Sequence, residues 1–255
     1  MQYGRWLWLA MQGNLGEDRR NLPVRETLVS RIPLTLELAT LSLVIAMLIG
    51  IPAGMIAALR RGKATDYAVT GTALLGLSVP HFWLGLLLIT WFAVDLNWLP
   101  AIGYVSFRED PIANLQHMIL PCAMLGFGFA AVLARQMRSS MLTALSSDYV
   151  RTARAKGLSE RSVVGRHAVR NSLITVTTVI GLYFGSLISG AVVTETIFGI
   201  PGFGRLSIDA LNSRDYMMVQ GLVLFIAAFY VTVNLLVDIV YALLDPRVRV
   251  AGVQT

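Results

Sequence analysis

Few groups in this chain could carry chemistry, and each lies in or beside an apolar run. Glu195 is followed by Phe198, Gly199, Pro201, Gly202 and Gly204, a stretch that breaks regular helix. Irregular backbone at membrane depth is tolerated only where protein or water covers it. Two placements of 197–203 follow: a pore-side or outer-gate segment, or an extracellular turn with a solvated carboxylate. Asn234 and Asp238 stand four apart and share a helix face. A carboxylate inside a span is costly and calls for a partner or a water-filled cavity, whereas one near the span's end is solvated. Ser78, Pro80 and His81 would bend a helix and present polar groups, which serves packing or a path for a solute.

Catalytic constellations are missing from the sequence. His81, His117 and His167 are the three histidines, and no pair has metal-ligand spacing. Cys122 is the single cysteine, so the chain has neither an internal disulfide nor a thiolate cluster. No Gly-x-Ser-x-Gly elbow and no Gly-x-x-x-x-Gly-Lys-Ser/Thr phosphate loop occurs. The chain is therefore expected to hydrolyse nothing by itself and to bind no cofactor.

The elements that must position these groups belong to a membrane. Of 255 residues, 55% are apolar and 14% charged, with mean hydropathy +0.64, whereas a soluble domain needs about a quarter charged. Helices cross a bilayer core with about 20 apolar residues. Charge-free runs of that length fall at 38–59, 67–94, 111–134, 171–194 and 216–237, the last continuing past Asp238 to Leu244. The expected fold is an all-α bundle of five spans, with gaps too short for a separate catalytic domain.

Basic residues orient the spans. Arg60, Arg61 and Lys63 follow the first; Arg135, Arg138, Arg151, Arg154, Lys156, Arg161, Arg166 and Arg170 follow the third; Arg247 and Arg249 follow the fifth. Loops of the other parity hold Arg108, Arg205 and Arg214. The excess of cations on one side puts the third-to-fourth loop and the C-terminus in the cytoplasm. It also accounts for the net charge of +6 and the pI near 9.8 without a nucleic-acid partner. Residues 1–33 then form an extracytoplasmic segment, with Trp6, Leu7, Trp8, Leu9 and Met11 suited to an interfacial helix. The membrane domain covers 34–245, its cytoplasmic loop 138–170, and a tail 246–255. Five basic residues on an exported N-terminal segment with no cleavable leader are awkward.

The cytoplasmic loop reads as two short helices meeting at a glycine. Ser147 suits an N-cap, Asp148 the first turn, Lys156 the last turn, and Gly157 the left-handed residue that stops the helix. A second helix starts at Ser159. At spacing four, Tyr149, Ala153 and Gly157 share a side flanked by Thr152 and Ala155, a small-residue face that another protein could approach closely. The other reading is a solvated connector resting on anionic headgroups.

The run Asp148-Tyr-Val-Arg-Thr-Ala-Arg-Ala-Lys-Gly-Leu158, with His167-Ala-Val-Arg-Asn171, resembles the signature loop of ABC importer permease subunits of the dipeptide, oligopeptide and nickel branch. Gly76-Leu-Ser-Val-Pro-His-Phe-Trp-Leu-Gly85, Thr194-Glu-Thr-Ile-Phe-Gly-Ile-Pro-Gly-Phe-Gly-Arg205, Arg214-Asp-Tyr216 and Leu243-Leu-Asp-Pro-Arg247 resemble the same branch.

The resemblance implies a type I importer permease fold in a bacterial or archaeal inner membrane. It implies a coupling helix, with Tyr149, Thr152, Ala153, Gly157 and Leu158, seated on a cytoplasmic ATPase. It also implies a second, similar permease subunit, a pair of ATPase subunits that use ATP and Mg, and an extracytoplasmic binding protein delivering peptides or nickel chelates. Ser78, Pro80, Glu195, Phe198, Pro201, Gly202, Asn234 and Asp238 are the candidates for its path or gate. The chain has Arg151-Thr-Ala153 where the general importer pattern has Glu-Ala-Ala, and Arg170 where that pattern closes on proline. Members of the branch have another membrane helix before the interfacial segment. Either the start is set too late here or this is a five-span subunit. The competing class is a secondary transporter, which would need coupling ions on midplane ionisable residues; Asp238 and Glu37 come nearest.

Overall fold

The computed structural model describes residues 8–10 and 12–244, with the backbone alone at 185–190, 237–238 and 240–244. Trp6, Leu7, Met11, the tail 246–255 and the side chain of Asp238 lie outside the described residues. Among those described, the fold is helical, with an isolated antiparallel bridge between Glu17 and Pro23. Helix α1 is Val24–Leu59, α2 Ala64–Ser78 and α3 His81–Leu88, the last running into a π-helical stretch, Ile89–Asp95. Helix α4 is Pro111–Leu145, α5 Asp148–Ala155 and α6 Glu160–Ser162, which widens into a π-helical stretch, Val163–Val169, and enters α7, Arg170–Ile197. Helices α8, Phe203–Asn212, and α9, Tyr216–Leu244, complete the chain.

Three of these, α1, α4 and Tyr216–Leu236 of α9, are long and apolar enough to cross a membrane. The 28 residues of α7 rise about 42 Å, also sufficient. The run 67–94 forms a pair of helices bent by 102°, at the bend expected from Ser78, Pro80 and His81. Pro80 lacks an N–H and forces the residue before it out of helical conformation; Val79 accordingly has φ −75°, ψ 127°. Helix α1 begins well before Leu38 because its charged residues find partners inside the protein. Arg31 donates to the Pro201 carbonyl at 2.9 Å, and Glu37 accepts from the Tyr104 hydroxyl at 2.9 Å.

The helices contribute to two compact units. One comprises Met1–Ala39, Gly85–Pro121 and Gly185–Asn234. Its core joins Leu15, Val24 and Leu28 to Phe203, Ala210, Met218 and Leu222, and Phe203 meets the rings of Phe225 and Phe229 at 5.5 and 5.8 Å. Asp215 anchors the N-terminal segment here. It accepts the N–H of Met218 at 3.0 Å as a cap on α9 and the N–H of Arg19 at 2.8 Å.

The other unit comprises Thr40–Leu84, Cys122–Phe184 and Leu235–Thr255. Its α1 and α4 pack through small residues: Gly50 and Gly54 lie against the backbone of Ala130 and Ala134, and Gly126 against the carbonyl of Ser42. Lipid offers no hydrophobic drive for helix association, so such close backbone approach supplies the attraction. Gly76 brings α2 to the same helix beside Phe127 and Ala131.

Candidate coupling loop and gate segment

In the loop after α4, α5 stops by its own backbone. Gly157 has φ +75°. The N–H of Leu158 reaches the Ala153 carbonyl at 3.3 Å and that of Gly157 the Arg154 carbonyl at 2.9 Å, the paired bonds of a Schellman termination. Ser147 stands at the N-cap with extended backbone, yet its hydroxyl donates back to the Ala144 carbonyl and caps nothing. Arg154 crosses the turn to Glu160 at 2.6 Å. This contact holds the Glu160 carboxyl below the ordinary glutamate range. The small stabilisation this exposed pair adds is present at neutral pH and fades on acidification.

The inner side of α5 is a miniature core. Val150, Ala153 and Val163 pack together at 0%, 5% and 0% exposure. Ala153 therefore faces its own loop, which corrects the single face drawn through Tyr149, Ala153 and Gly157; its small size lets α5 close on the π-helical stretch. The outward surface is Tyr149, Thr152, Gly157 and Leu158, with Tyr149 and Leu158 about two-fifths exposed.

The gate segment departs from the extracellular turn with a solvated carboxylate. Glu195, at the end of α7, is fully buried, as are Phe198 and Ile200. Its carboxylate accepts the N–H of Arg205 at 3.1 Å and the Thr35 hydroxyl at 3.3 Å, while the Thr35 oxygen accepts the N–H of Phe203 at 3.4 Å. These N–H groups belong to the first turn of α8, whose positive end favours an anion. Glu195 thus caps α8 from another helix. A side chain at Gly202 would run into that carboxylate. The Gly199 carbonyl accepts from the Arg205 guanidinium at 2.7 Å, and the Gly103 N–H donates to the Phe198 carbonyl at 2.8 Å. Pro201, half-buried, presents its carbonyl to Arg31. The run 197–203 is a bonded connection, and the acid that precedes it is buried, not solvated.

Removing this cap has a measurable consequence. Glu195→Ala is expected to lower stability by about 1–3 kcal/mol, since buried N–H groups lose their acceptor. Gly202→Ala destabilises by crowding the carboxylate. The double variant loses less than the two together, because deleting the carboxylate frees the space the methyl needs. Thermal unfolding in detergent measures all three; strict additivity would contradict the contact.

The remaining candidates are served by their own helices. Ser78 is exposed and donates to the Leu74 carbonyl at 2.9 Å. Asn234 is half-buried and donates to the Tyr230 carbonyl at 3.0 Å. Pro80 supplies the bend of the α2–α3 pair. Sequence reasoning missed a pair that holds the base of the candidate coupling loop. Arg138, near the end of α4, donates its Nε and Nη2 N–H groups to the two carboxylate oxygens of Asp66 of α2 at 2.5 and 2.8 Å. The local signal was an acid in the first turn of an otherwise apolar helix.

Comparison with known proteins gives this geometry its place. Residues 50–250 match the family described as binding-protein-dependent transport system inner membrane component. The chain is 45% identical over 250 residues to a putative peptide transport system permease protein of Brucella abortus (strain 2308), covering 98% of this chain and 80% of the relative. It is 44% identical over 272 residues to the dipeptide transport system permease protein DppB of Escherichia coli (strain K12), covering 97% and 80%. Among solved structures, a chain of the inward-facing MetNI methionine ABC transporter aligns with TM-score 0.71 at 15% identity, over 86% of this chain and 96% of that one. A chain of an amino acid ABC transporter crystallised with histidines aligns with TM-score 0.60 at 16% identity, over 87% and 94%. The fold is that of type I ABC importer permeases, and nothing in these likenesses supports a secondary transporter. The chain belongs to the binding-protein-dependent transport system inner membrane component family, as a multi-pass permease subunit.

Proposed function

We propose that this chain is one of two similar permease subunits of a peptide importer. An extracytoplasmic binding protein delivers di- or oligopeptides, and two cytoplasmic ATPase subunits, which bind ATP and Mg, drive transport through the loop around Gly157. The observation that carries the cargo is the identity of 44–45% to peptide and dipeptide permeases over nearly the whole chain. The cationic loops support a cytoplasmic loop and C-terminus.

The loop is built to transmit displacement. Its exposed Tyr149, Thr152 and Leu158 offer a contact surface, while Val150 and Ala153 lock α5 to Val163 and so to the start of α7. At its other end α5 follows α4 after two residues, and α4 is clamped to α2 by Arg138 and Asp66. A push on α5 therefore reaches α2, α4 and α7 as attached bodies.

Gly157→Val puts a β-branched residue at φ +75°, where no neighbour lies within 4 Å to obstruct it. Its expected effect is loss of most uptake, with the protein still inserted and ATP hydrolysis no longer stimulated by loaded binding protein. Ala153→Asp places a carboxylate among Val150 and Val163 and unfolds the loop itself. Dipeptide uptake and ATPase rate in proteoliposomes carrying the co-purified assembly provide the test. An assembly that purifies without any ATPase, or imports dipeptide without ATP, would overturn the function proposed here.

A further inference from the structure

Between α2 and α4 runs a narrow groove of about 50 Å³. Ala73 and Ala134, both buried, floor it, while Val69, Leu74 and Leu77 line its α2 side, the two leucines exposed. From Val69 to Leu77 that side extends about 12 Å along the helix. A space this small with apolar walls does not suit water, which needs two or more polar partners. One end of the groove is cationic. Arg135 lines it, exposed and with no hydrogen-bond or ion-pair partner among the described residues. Beside it Arg138 commits Nε and Nη2 to Asp66, and the same carboxylate accepts the N–H of Gly62 at 3.0 Å. That bond ties the turn carrying the exposed Arg60, Arg61 and Lys63 to this end of the groove. Asp66 and Arg138 neutralise one another, so the turn and Arg135 keep their positive charge.

An apolar channel that ends on an uncompensated cation is complementary to an amphiphile with a negative head. Basic sites between membrane helices recognise such headgroups, and a guanidinium matches the oxygens of a phosphate. A protein helix seated here would have to bring an acid to Arg135 and a thin, unbranched side chain between Ala73 and Ala134. A phospholipid carries both features in one molecule. We infer that the groove binds an anionic phospholipid, with one acyl chain along Ala73 and Ala134 and its phosphate on Arg135. Arg135 takes the phosphate because Arg138 is already held by Asp66. Bound there, the lipid touches α2 and α4 at the end where the Asp66 pair joins them. A ligand that binds only the folded chain stabilises it, so the lipid adds to that clamp. The site is independent of the solute that the permease carries.

The full chain, purified in a neutral detergent, is titrated with dioleoylphosphatidylglycerol and, separately, with dioleoylphosphatidylcholine, which has the same chains and no net charge. Native mass spectrometry reads the lipid bound, and thermal unfolding reads its effect. Phosphatidylglycerol is expected to be retained in preference to phosphatidylcholine and to raise the unfolding temperature more. Arg135→Gln is expected to weaken phosphatidylglycerol about tenfold, the loss of one charge-assisted contact, and to leave phosphatidylcholine unchanged. Because Arg135 is exposed and unpaired, this variant keeps the fold. Arg161→Gln removes the same charge from an exposed position outside the groove and is expected to change neither lipid. Ala73→Leu narrows the channel and is expected to weaken both. Equal retention of phosphatidylglycerol by Arg135→Gln and the parent, or an equal fall in Arg161→Gln, would overturn the site. Unchanged binding by Ala73→Leu would remove the acyl chain from the groove. Displacement of the lipid by excess glycerol 3-phosphate would leave a free-anion site in its place. Loss of the lipid on purifying the complete assembly would give the groove to another subunit, and would likewise overturn the proposal.

Discussion

Arg138→Ala is expected to destabilise the protein clearly, because it leaves the covered Asp66 carboxylate without its partner. Asp66 is only 3% exposed. Its carboxylate receives two guanidinium N–H groups, the N–H of Gly62 at 3.0 Å and a long contact from the Thr70 hydroxyl at 3.5 Å. Without Arg138 the acid keeps the weaker donors and loses its paired guanidinium. The reverse deletion is milder, because the side chain of Arg138 is 28% exposed and a freed guanidinium can reach water. Arg138→Lys recovers part of the loss, since an ammonium cannot reproduce the two-pronged contact. Asp66→Asn with Arg138→Gln recovers more, because no charge is then buried. Thermal unfolding of the detergent-solubilised protein measures the series. If Arg138→Ala fell within about 1 kcal/mol of the parent, like an exposed pair, the clamp between α2 and α4 would be no anchor. Function should track this order, because the same clamp holds the helix from which the coupling loop hangs.

Where physics is local, the sequence could be read directly. Charge-free runs located the spans, Pro80 marked the break in 67–94, and Lys156-Gly157-Leu158 announced a helix end that the Schellman bonds confirm. The misreadings concern residues whose role is defined by distant partners. Arg31 and Glu37 delayed the expected start of α1, because their partners Pro201 and Tyr104 lie 170 and 67 positions away. The reading of Glu195 as a solvated acid fails because its neighbours in sequence say nothing of Thr35, 160 positions off, which shares its work at the start of α8. Ala153 has the right size for a docking face and the right spacing from Tyr149. Only the position of Val163 shows that the methyl points inward.

Gly50→Ala and Gly54→Ala are expected to be strongly damaging single-methyl additions, and Gly54→Ala the worse of the two. A Cβ on Gly50 would come 2.6 Å from the Ala130 carbonyl oxygen and 2.9 Å from the Leu133 Cβ. One on Gly54 would sit closer still to the Ala134 carbonyl and 2.8 Å from the Met137 Cβ. The obstructing atoms are mainly backbone or the first carbon of a side chain, so no rotamer change clears them. Helix α1 must instead move away from α4, and the contacts along the seam, including Gly126 on Ser42, open with it. Overpacking of one methyl costs about 1–3 kcal/mol in interiors where side chains can adjust, and this seam lacks that freedom. Thinning the partner cannot compensate: Ala130→Gly leaves the obstructing carbonyl in place. Gly71 on α2 supplies the contrast, having nothing within 4 Å of its would-be Cβ. There alanine is expected to be neutral or to stabilise by up to about 1 kcal/mol through helix propensity. Unfolding temperatures and membrane yields of the three variants should therefore rank Gly71→Ala at or above the parent, then Gly50→Ala, then Gly54→Ala. If Gly50→Ala and Gly54→Ala matched Gly71→Ala, propensity would outweigh packing, and the two helices could not be touching backbone to backbone.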